Sequence, residues 1–411
     1  MSILDALCSS CSNNRCCFQE KEVDLSQVNA SSLQSCLRRL PMAEQFFLCR
    51  FHPSNACDIP SSFIRSLVLP GCERSVIVIV NGIFSSKFSS LEAVPELSVT
   101  SSLQSSSFST CCLNQKAREG NDPFSLLCHA SCYEELRLVV PSVRLQAPVQ
   151  ILYVMNGSTP LWMMPKLHIS LEKGASMHLI ETYGGDISCR VFVNQYTSIE
   201  LNESAQLGYH RLSCVPSKKI ALFSSSQVMV HKQAVMRSVS ISDLLLSRHH
   251  VDVQLLGEES SYELYLLSLL RESQEADCQL HVRHAASRSR SMLVTRGVVG
   301  NASSNISSTV LMEQGADASE SCQRCAHLCL GASSRTQAQP NFKIFADDVQ
   351  AVHGATMSSV DSEMVWYLQS RGLSAQEATS ALVESFCAEV IRCLSLEVEK
   401  EYLRKQGVRV W

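Results

Sequence analysis

A chain of 411 residues with 45% hydrophobic residues can bury most of its unfolded surface, so it needs no disulfide or metal ion to stabilise its core. Its 35 lysines and arginines nearly balance 39 aspartates and glutamates, which excludes a strong overall attraction to nucleic acid or to an anionic membrane. The most apolar stretch, Val76 to Val80, is too short to span a bilayer and is predicted to be a buried strand. The N-terminus lacks the pattern of a secretion signal, so the sequence predicts a soluble, cytoplasmic protein.

The 20 cysteines are scattered without a repeated spacing, which favours reduced thiols over a disulfide framework. Three groups could hold a metal ion: Cys8 to Cys17, Cys111 to Cys132, and Cys322 to Cys329. None of them supplies the two matched C-x2-C pairs that structural zinc usually requires. We therefore expect most of these cysteines to be small core residues.

The first 121 residues are predicted to form a mixed helical region. A helical pattern covers Leu33 to Arg50, and the strand at Val76 to Val80 follows it. The serine-rich stretch Ser101 to Ser109 precedes a change in sequence character. We expect the next domain to begin at about residue 122.

Residues 122–345 are predicted to form a β-rich core. Short segments alternate apolar and polar residues with period two, and no helical segments interrupt them. The turns resemble one another, as in Lys173 to Ser176, Gly300 to Ser303 and Gln314 to Asp317. This repetition favours a β-solenoid, with a β-sandwich or a large barrel as the alternatives.

Residues 346–411 are predicted to form a C-terminal helical domain. A helical pattern at Glu363 to Arg371 stops at Gly372, which suits a left-handed cap. Ser374 and Glu377 then have the spacing of a capping box that begins a second helix. One apolar stripe follows this helix at a spacing of four residues: Ala378, Leu382, Phe386, Val390 and Leu394.

Motifs for nucleotide binding and for serine hydrolysis are absent from the sequence. It contains no G-x-x-x-x-G-K-[ST] loop, no G-x-G-x-x-G opening a helix and no G-x-S-x-G elbow. The densest polar cluster contains Asp347, Asp348 and His353, which could serve acid–base chemistry or bind a metal ion. Asp347 and Asp348 could equally be turn residues, and His284 and the pair His249-His250 are further candidates.

The same segment resembles the SufB/SufD family of the SUF iron–sulfur cluster assembly system. Phe345 to Thr356, with the sequence FADDVQAVHGAT, is similar to the family's aspartate-aspartate-valine and histidine-glycine-alanine-threonine motifs. Trp366 to Gly372, with the sequence WYLQSRG, is similar to its tyrosine-leucine-x-serine-arginine-glycine motif. Chain length and the histidine motif make the resemblance closest to the SufD branch. The match is poor over the first seventy residues.

The resemblance implies a mainly β fold with a right-handed parallel β-helix core and flanking N-terminal and C-terminal helical regions. It implies a scaffold rather than an enzyme, paired with SufB and with the ATPase SufC, which would carry the nucleotide site. His353 would bind iron or a transient cluster shared with SufB, and His284 is a weaker metal candidate. Ala351 occupies a position where many relatives have cysteine, so the thiol ligands would come from the partner. The partner-binding residues implied in the C-terminal domain are Tyr367, Arg371, Leu382, Phe386 and Val390.

Two other functions fit parts of the sequence. A β-helix enzyme acting on polysaccharide would use paired carboxylates such as Asp347 and Asp348, although such enzymes are usually exported and rich in aromatic residues. A homodimeric metal-trafficking protein would need denser ligand motifs than the cysteine groups supply. A homodimer of the isolated chain remains compatible with the scaffold function.

Overall fold

The computed structural model describes residues 15–18, 21–24, 59–103, 122–157, 159–215 and 219–405. Over these ranges the chain is mainly β, a parallel β-solenoid of about 8 turns with a few flanking helices. The predicted fold class is confirmed. The helical pattern predicted at Leu33 to Arg50 lies outside the described residues, as do Cys8, Cys11, Cys111 and Cys112. Within the described part of the chain, no helix has the length and hydropathy needed to cross a membrane.

From Lys166 onward, consecutive strands alternate between two sheets, and each pairs in parallel with the strand of the preceding turn. Arg290 pairs with Glu320, for example, and Glu320 pairs with Gln350. The first sheet contains, in order from the C-terminal edge, β22 (Val349–Ser359), β20 (Ser319–Cys329), β18 (Arg290–Val299), β16 (Ser261–Leu270), β14 (Val235–Asp243), β12 (Gln206–Cys214), β10 (Ser176–Ile187), β7 (Val149–Gly157), β3 (Val76–Val80) and β4 (Ile83–Phe84).

The second sheet lies opposite the first and ends at the same edge. Its strands are β21 (Arg335–Ile344), β19 (Ser303–Met312), β17 (Glu275–His284), β15 (Leu246–Leu255), β13 (Ile220–Val230), β11 (Val191–Leu201), β9 (Lys166–Leu171), β6 (Glu134–Val140) and β5 (Ser98–Leu103), with β8 (Leu161–Met163) also beside β11. A separate hairpin joins β1 (Arg15–Phe18) to β2 (Lys21–Asp24).

The main core is the lumen between the two sheets. Alternate residues of each strand point inward, and parallel pairing stacks equivalent positions, as in Leu264 beside Leu293. Each such fully buried leucine stabilises the fold by about 1.5–3 kcal/mol. The turns need left-handed backbone, which Gly174 supplies with φ +70° and Gly315 with φ +88°. The repeated turn pattern in the sequence thus marks the corners of the solenoid.

Five helices of the described residues flank the sheets. Their bounds are α1 (Ser61–Leu67), α2 (Pro123–Ser131), α3 (Ser362–Ser370), α4 (Ala375–Ile391) and α5 (Glu397–Lys405). The capping box predicted at Ser374 and Glu377 is present at the start of α4. α4 and α5 pack on the outside of the first sheet, where their apolar side chains contact residues such as Leu212 and Ile241. The hydroxyl of Tyr402 donates to the carbonyl of Tyr183 at 3.2 Å, which fastens α5 to this face.

The sheets extend beyond both limits of the core predicted at residues 122–345. They begin at Val76 and end at Ser359, so the first part of the predicted C-terminal domain is a strand. The sequence gives little sign of β22 because this strand is exposed along nearly its whole length and alternates between inward and outward residues only over Val349 to Val352.

Candidate functional site

The C-terminal edge of the solenoid is an exposed surface that spans both sheets. β21 and β22 end the two sheets, and in the described residues each pairs with a strand on one side alone. Large apolar side chains lie exposed here, with Phe345 at 65% and Val352 at 64% of full exposure. Exposed sheet edges and apolar patches of this kind are usually covered by a partner. We call this surface the open edge.

His353 lies in the middle of the open edge, on β22. It pairs in register with Gln323, a fully buried residue whose amide donates to the carbonyl of Asn341, so both side chains face the lumen. The imidazole stacks on the ring of Phe342 from β21, with centroids 5.1 Å apart and planes 9° from parallel. The edge therefore presents an oriented and accessible imidazole at the mouth of the lumen.

The residues around His353 leave space for an incoming group. A side chain added at Gly354 would meet no atom within 4 Å. Ala351, two residues before the histidine, faces the same side of the strand and packs against the lumen core. Asp347 and Asp348 lie exposed in the turn before β22, about 20 Å and 16 Å along the chain from His353. The structure does not bring these carboxylates to the imidazole.

His284 differs from His353 in its exposure. It is fully buried at the end of β17. Its Nδ1 is 2.7 Å from the hydroxyl of Ser289 and its Nε2 is 2.8 Å from that of Ser291. Burial lowers the pKa of His284 to about 4, so the ring is neutral at pH 7. Both ring nitrogens are therefore within hydrogen-bond distance of hydroxyls at the corner between β17 and β18. His249 is similarly buried, with its Nδ1 2.8 Å from the Ser224 hydroxyl.

α3 presents the predicted partner-binding residues Tyr367 and Arg371. The guanidinium of Arg371 lies 5.3 Å from the centre of the Tyr367 ring, and both side chains are exposed. Trp366 is 72% exposed, and no residue of α3 is buried. An exposed tryptophan beside an exposed tyrosine and arginine has the composition typical of binding hot spots.

The remaining predicted partner-binding residues lie on α4, the helix that packs on the solenoid. Val390 is fully buried against the outer face of the first sheet, so in this conformation it cannot reach a partner. Leu382 and Phe386 are half-buried, and Phe386 lies 5.1 Å from the guanidinium of Arg296. The inward stripe of α4 is Ala378, Val383, Cys387 and Val390. The middle of the predicted stripe was therefore offset by one residue, because Val383 and Cys387 face the sheet in place of Leu382 and Phe386.

The cysteine group on β20 does not converge on one point. Cys322 and Cys325 are three residues apart in a strand, so their side chains point to opposite faces of the sheet. Cys325 and Cys329 share a face but are about 13 Å apart along the strand. These thiols cannot share one ion within this strand.

A cluster that the sequence analysis missed joins the solenoid to α5. The Glu399 Oε1 atom is 3.3 Å from His178 Nε2 and 2.5 Å from His210 Nδ1. Glu399 and His210 are fully buried, and the His178 side chain is 22% exposed. Burial alone would raise the pKa of Glu399, but hydrogen bonds from the two histidines outweigh it and lower the pKa to about 2. Burial lowers the pKa of His210.

A second buried polar network lies inside the lumen. Arg211 Nε donates to Glu181 Oε2 at 2.8 Å, and the Arg211 Nη2 donates to the hydroxyl of Tyr209 at 2.7 Å. Gln195 donates to the other oxygen of Glu181 at 2.8 Å, and the Tyr153 hydroxyl donates to it at 3.2 Å. These buried polar atoms form hydrogen bonds with one another, which offsets the free-energy cost of removing them from water.

Comparison with known proteins places these features in a family. Residues 153–386, more than half of the chain, match the family described as SUF system FeS cluster assembly, SufBD core domain. A SufBD family iron–sulfur cluster assembly protein of Synechocystis sp. is 25% identical over 365 residues, covering 83% of this chain and 79% of the relative.

Two further relatives match over shorter stretches. The iron–sulfur cluster assembly protein SufD of Escherichia coli is 25% identical over 248 residues, which cover 59% of this chain and 58% of that protein. The chloroplastic protein ABCI7 of Arabidopsis thaliana is 26% identical over 231 residues, or 55% of this chain and 48% of the relative. The chain thus spans about half the length of these two relatives. It belongs to the SufBD family of the SUF system, which acts in iron–sulfur cluster assembly, and within that family it is similar to SufD.

Proposed function

We propose that this chain is a non-catalytic scaffold subunit of a SUF complex that builds iron–sulfur clusters at an interface with a SufB-type partner. The observation that supports this most strongly is the open edge, where His353 is oriented at the mouth of the lumen on one of the two edge strands. Membership of the SufBD family supports a role in iron–sulfur cluster assembly, and the open edge is an exposed surface on which a partner can bind.

The partner continues the solenoid in this proposal. Its edge strands would pair with the free backbone groups of β21 and β22, and its side chains would cover Phe345, Val352 and Met357. Main-chain pairing gives affinity, while apolar contacts at the centre of the interface exclude water. A second copy of the chain could occupy the same edge when the partner is absent, which gives the predicted homodimer.

Iron is the substrate at this interface, alone or as a transient cluster. A neutral imidazole is a suitable ligand for ferrous iron, and the stacked Phe342 holds the ring of His353 in one orientation. Among the described residues, no metal-ligating group of three or more includes His353. The partner would therefore supply the other ligands, with thiolates suited to sulfide-bridged iron.

The ATPase of the complex is proposed to dock on α3. The exposed side of this helix and its C-terminal end carries Trp366, Tyr367 and Arg371. The next helix, α4, adds the half-buried side chains of Leu382 and Phe386. The ATPase would carry the nucleotide site, because the sequence contains no phosphate-binding loop. The cytoplasmic location stays a prediction, since one relative is named as chloroplastic.

The test is co-purification with a SufB-type partner after one change at the open edge. Val352→Lys puts a charge on the exposed outer face of β22, and it should abolish recovery of the partner without loss of the fold. Val235→Lys, at an exposed apolar position on β14, is the matched control and should leave recovery unchanged. Equal recovery with both variants would place the partner elsewhere. Light scattering on the isolated chain tests whether Val352→Lys also abolishes a homodimer.

A further inference from the structure

The cluster of His178, His210 and Glu399 lies away from the open edge and is not used in the proposed function. His178 and His210 come from neighbouring strands of the first sheet, β10 and β12, and both point to its outer face. Glu399 comes from α5, which follows them by about two hundred residues in sequence. The solenoid and the C-terminal helix therefore contribute to one polar site.

The local structure brings the two rings together. His178 lies opposite Gly208 in the ladder, and a side chain at that position would come within 2.6 Å of the His178 Nδ1 atom. The missing side chain lets the His178 ring lie beside His210, with the ring centroids 4.4 Å apart and the planes perpendicular. Glu399 is fixed from the other side, because its Oε2 accepts the backbone N–H of Leu396 at 3.0 Å.

The donor atoms have the composition and spacing of a metal site. One nitrogen from each histidine and one carboxylate oxygen lie within 4.8 Å of one another. In tetrahedral coordination with bonds of 2.0–2.2 Å, donors lie about 3.3–3.5 Å apart. The 3.3 Å between His178 Nε2 and Glu399 Oε1 fits this spacing, and the contact between His210 and Glu399 would lengthen by about 1 Å.

We infer that His178, His210 and Glu399 bind one divalent transition-metal ion, of the Zn²⁺ or Fe²⁺ type, which fastens α5 to the solenoid. Two imidazoles and one carboxylate suit these ions and are unsuited to Ca²⁺ or Mg²⁺, which take oxygen ligands. The partly exposed His178 gives the ion a route from solvent and leaves room for water as a fourth ligand.

Binding would couple metal supply to the position of the helices. α4 and α5 pack on the same face of the first sheet, and α3, the proposed docking helix for the ATPase, precedes them directly. A metal ion that joins α5 to β10 and β12 would restrain this region. This inference uses residues remote from His353, so it stands or falls separately from the proposed function.

The experiment uses the full-length protein, stripped of metal with a chelator and kept reduced. Zn²⁺ titration by calorimetry should show one site that His178→Ala weakens by more than about 10-fold, the loss caused by removing even a supporting residue of a metal site. His231→Ala is the matched control, because it removes another histidine 3.3 Å from a carboxylate, that of Glu200. This control should bind Zn²⁺ like the wild type.

A spectroscopic measurement separates this site from the many cysteines and needs no variant. Co²⁺ bound to the wild-type protein should show visible bands of nitrogen and oxygen ligation without a thiolate charge-transfer band. Hydrogen exchange should show α5 more protected with Zn²⁺ than without it. Thiolate bands alone, equal affinity in His178→Ala, or no binding would each overturn the inference and leave the cluster as a hydrogen-bonded clasp.

Discussion

The buried ion pair of Arg211 and Glu181 gives the sharpest prediction for the solenoid itself. Both side chains lie inside the lumen, with Glu181 fully buried and Arg211 nearly so, and their atoms are 2.8 Å apart. Arg211→Met keeps most of the aliphatic volume but leaves the carboxylate of Glu181 without a cation. Breaking a buried pair in this way destabilises a protein by about 3–5 kcal/mol.

Two comparisons isolate the cause of that loss. Adding Glu181→Gln to Arg211→Met removes the stranded charge while keeping an amide for Tyr153 and Gln195, so it should recover about 2 kcal/mol. Arg288→Met is the matched control, since Arg288 pairs with Glu258 on the surface with about half of its side chain exposed. An exposed pair contributes about 0–1 kcal/mol.

Urea denaturation measures the free energy of unfolding of each variant. If Arg211→Met is no more destabilising than Arg288→Met, the buried pair does not stabilise the solenoid as predicted. If the double variant is less stable than Arg211→Met alone, the carboxylate was not the source of the loss.

Two further predictions concern acid stability and partner docking. His327 is fully buried, and burial lowers its pKa from 6.5 to about 4, so between these pH values the unfolded chain binds a proton that the folded chain does not. Unfolding titrations should therefore show stability falling as pH drops from about 6.5 to 4, by up to about 3 kcal/mol from this residue, and His327→Gln should make that fall less steep. Trp366→Ala should weaken binding of a SufC-type ATPase by about 2 kcal/mol in calorimetry. The free energy of unfolding of this variant should change by less than about 0.5 kcal/mol, because Trp366 is exposed. Val235→Ala is the control at another exposed apolar position.

The solenoid could be predicted because its two signals are local. Period-two alternation marks each strand, and a left-handed residue such as Gly174 or Gly315 marks a corner. β22 shows the first signal only over its first four residues, because most of its length is exposed. The sequence therefore indicated the inner turns and placed the boundary before the last strand.

The inward face of α4 was only partly predictable. A spacing of four residues drifts around a helix that has 3.6 residues per turn, so Leu382 and Phe386 rotate out of the interface that Val383 and Cys387 enter. Both sets are apolar, and the sequence alone does not tell which one meets the outer face of the sheet.

Polar residues inside the protein were the least predictable part. Glutamate and arginine usually lie on the surface of a protein. Glu181 and Arg211 can be buried because strands one turn apart bring their opposite charges together. His178, His210 and Glu399 meet only because α5 folds back on the sheet, across 221 and 189 residues of sequence. No spacing rule covers such distances. His353, by contrast, was found through the motif around it, and its position on β22 required the structure.

The central claim is that His353 takes part in cluster assembly at the interface with a SufB-type partner. The most direct measurement is the rate of cluster formation by the reconstituted complex with His353→Ala, followed by absorbance and iron content. The side chain is exposed and touches chiefly Phe342, so the change should lower stability by no more than about 1 kcal/mol and leave the complex intact. We predict an intact complex that assembles clusters much more slowly than the wild type. An intact complex that assembles them at the wild-type rate would contradict the claim.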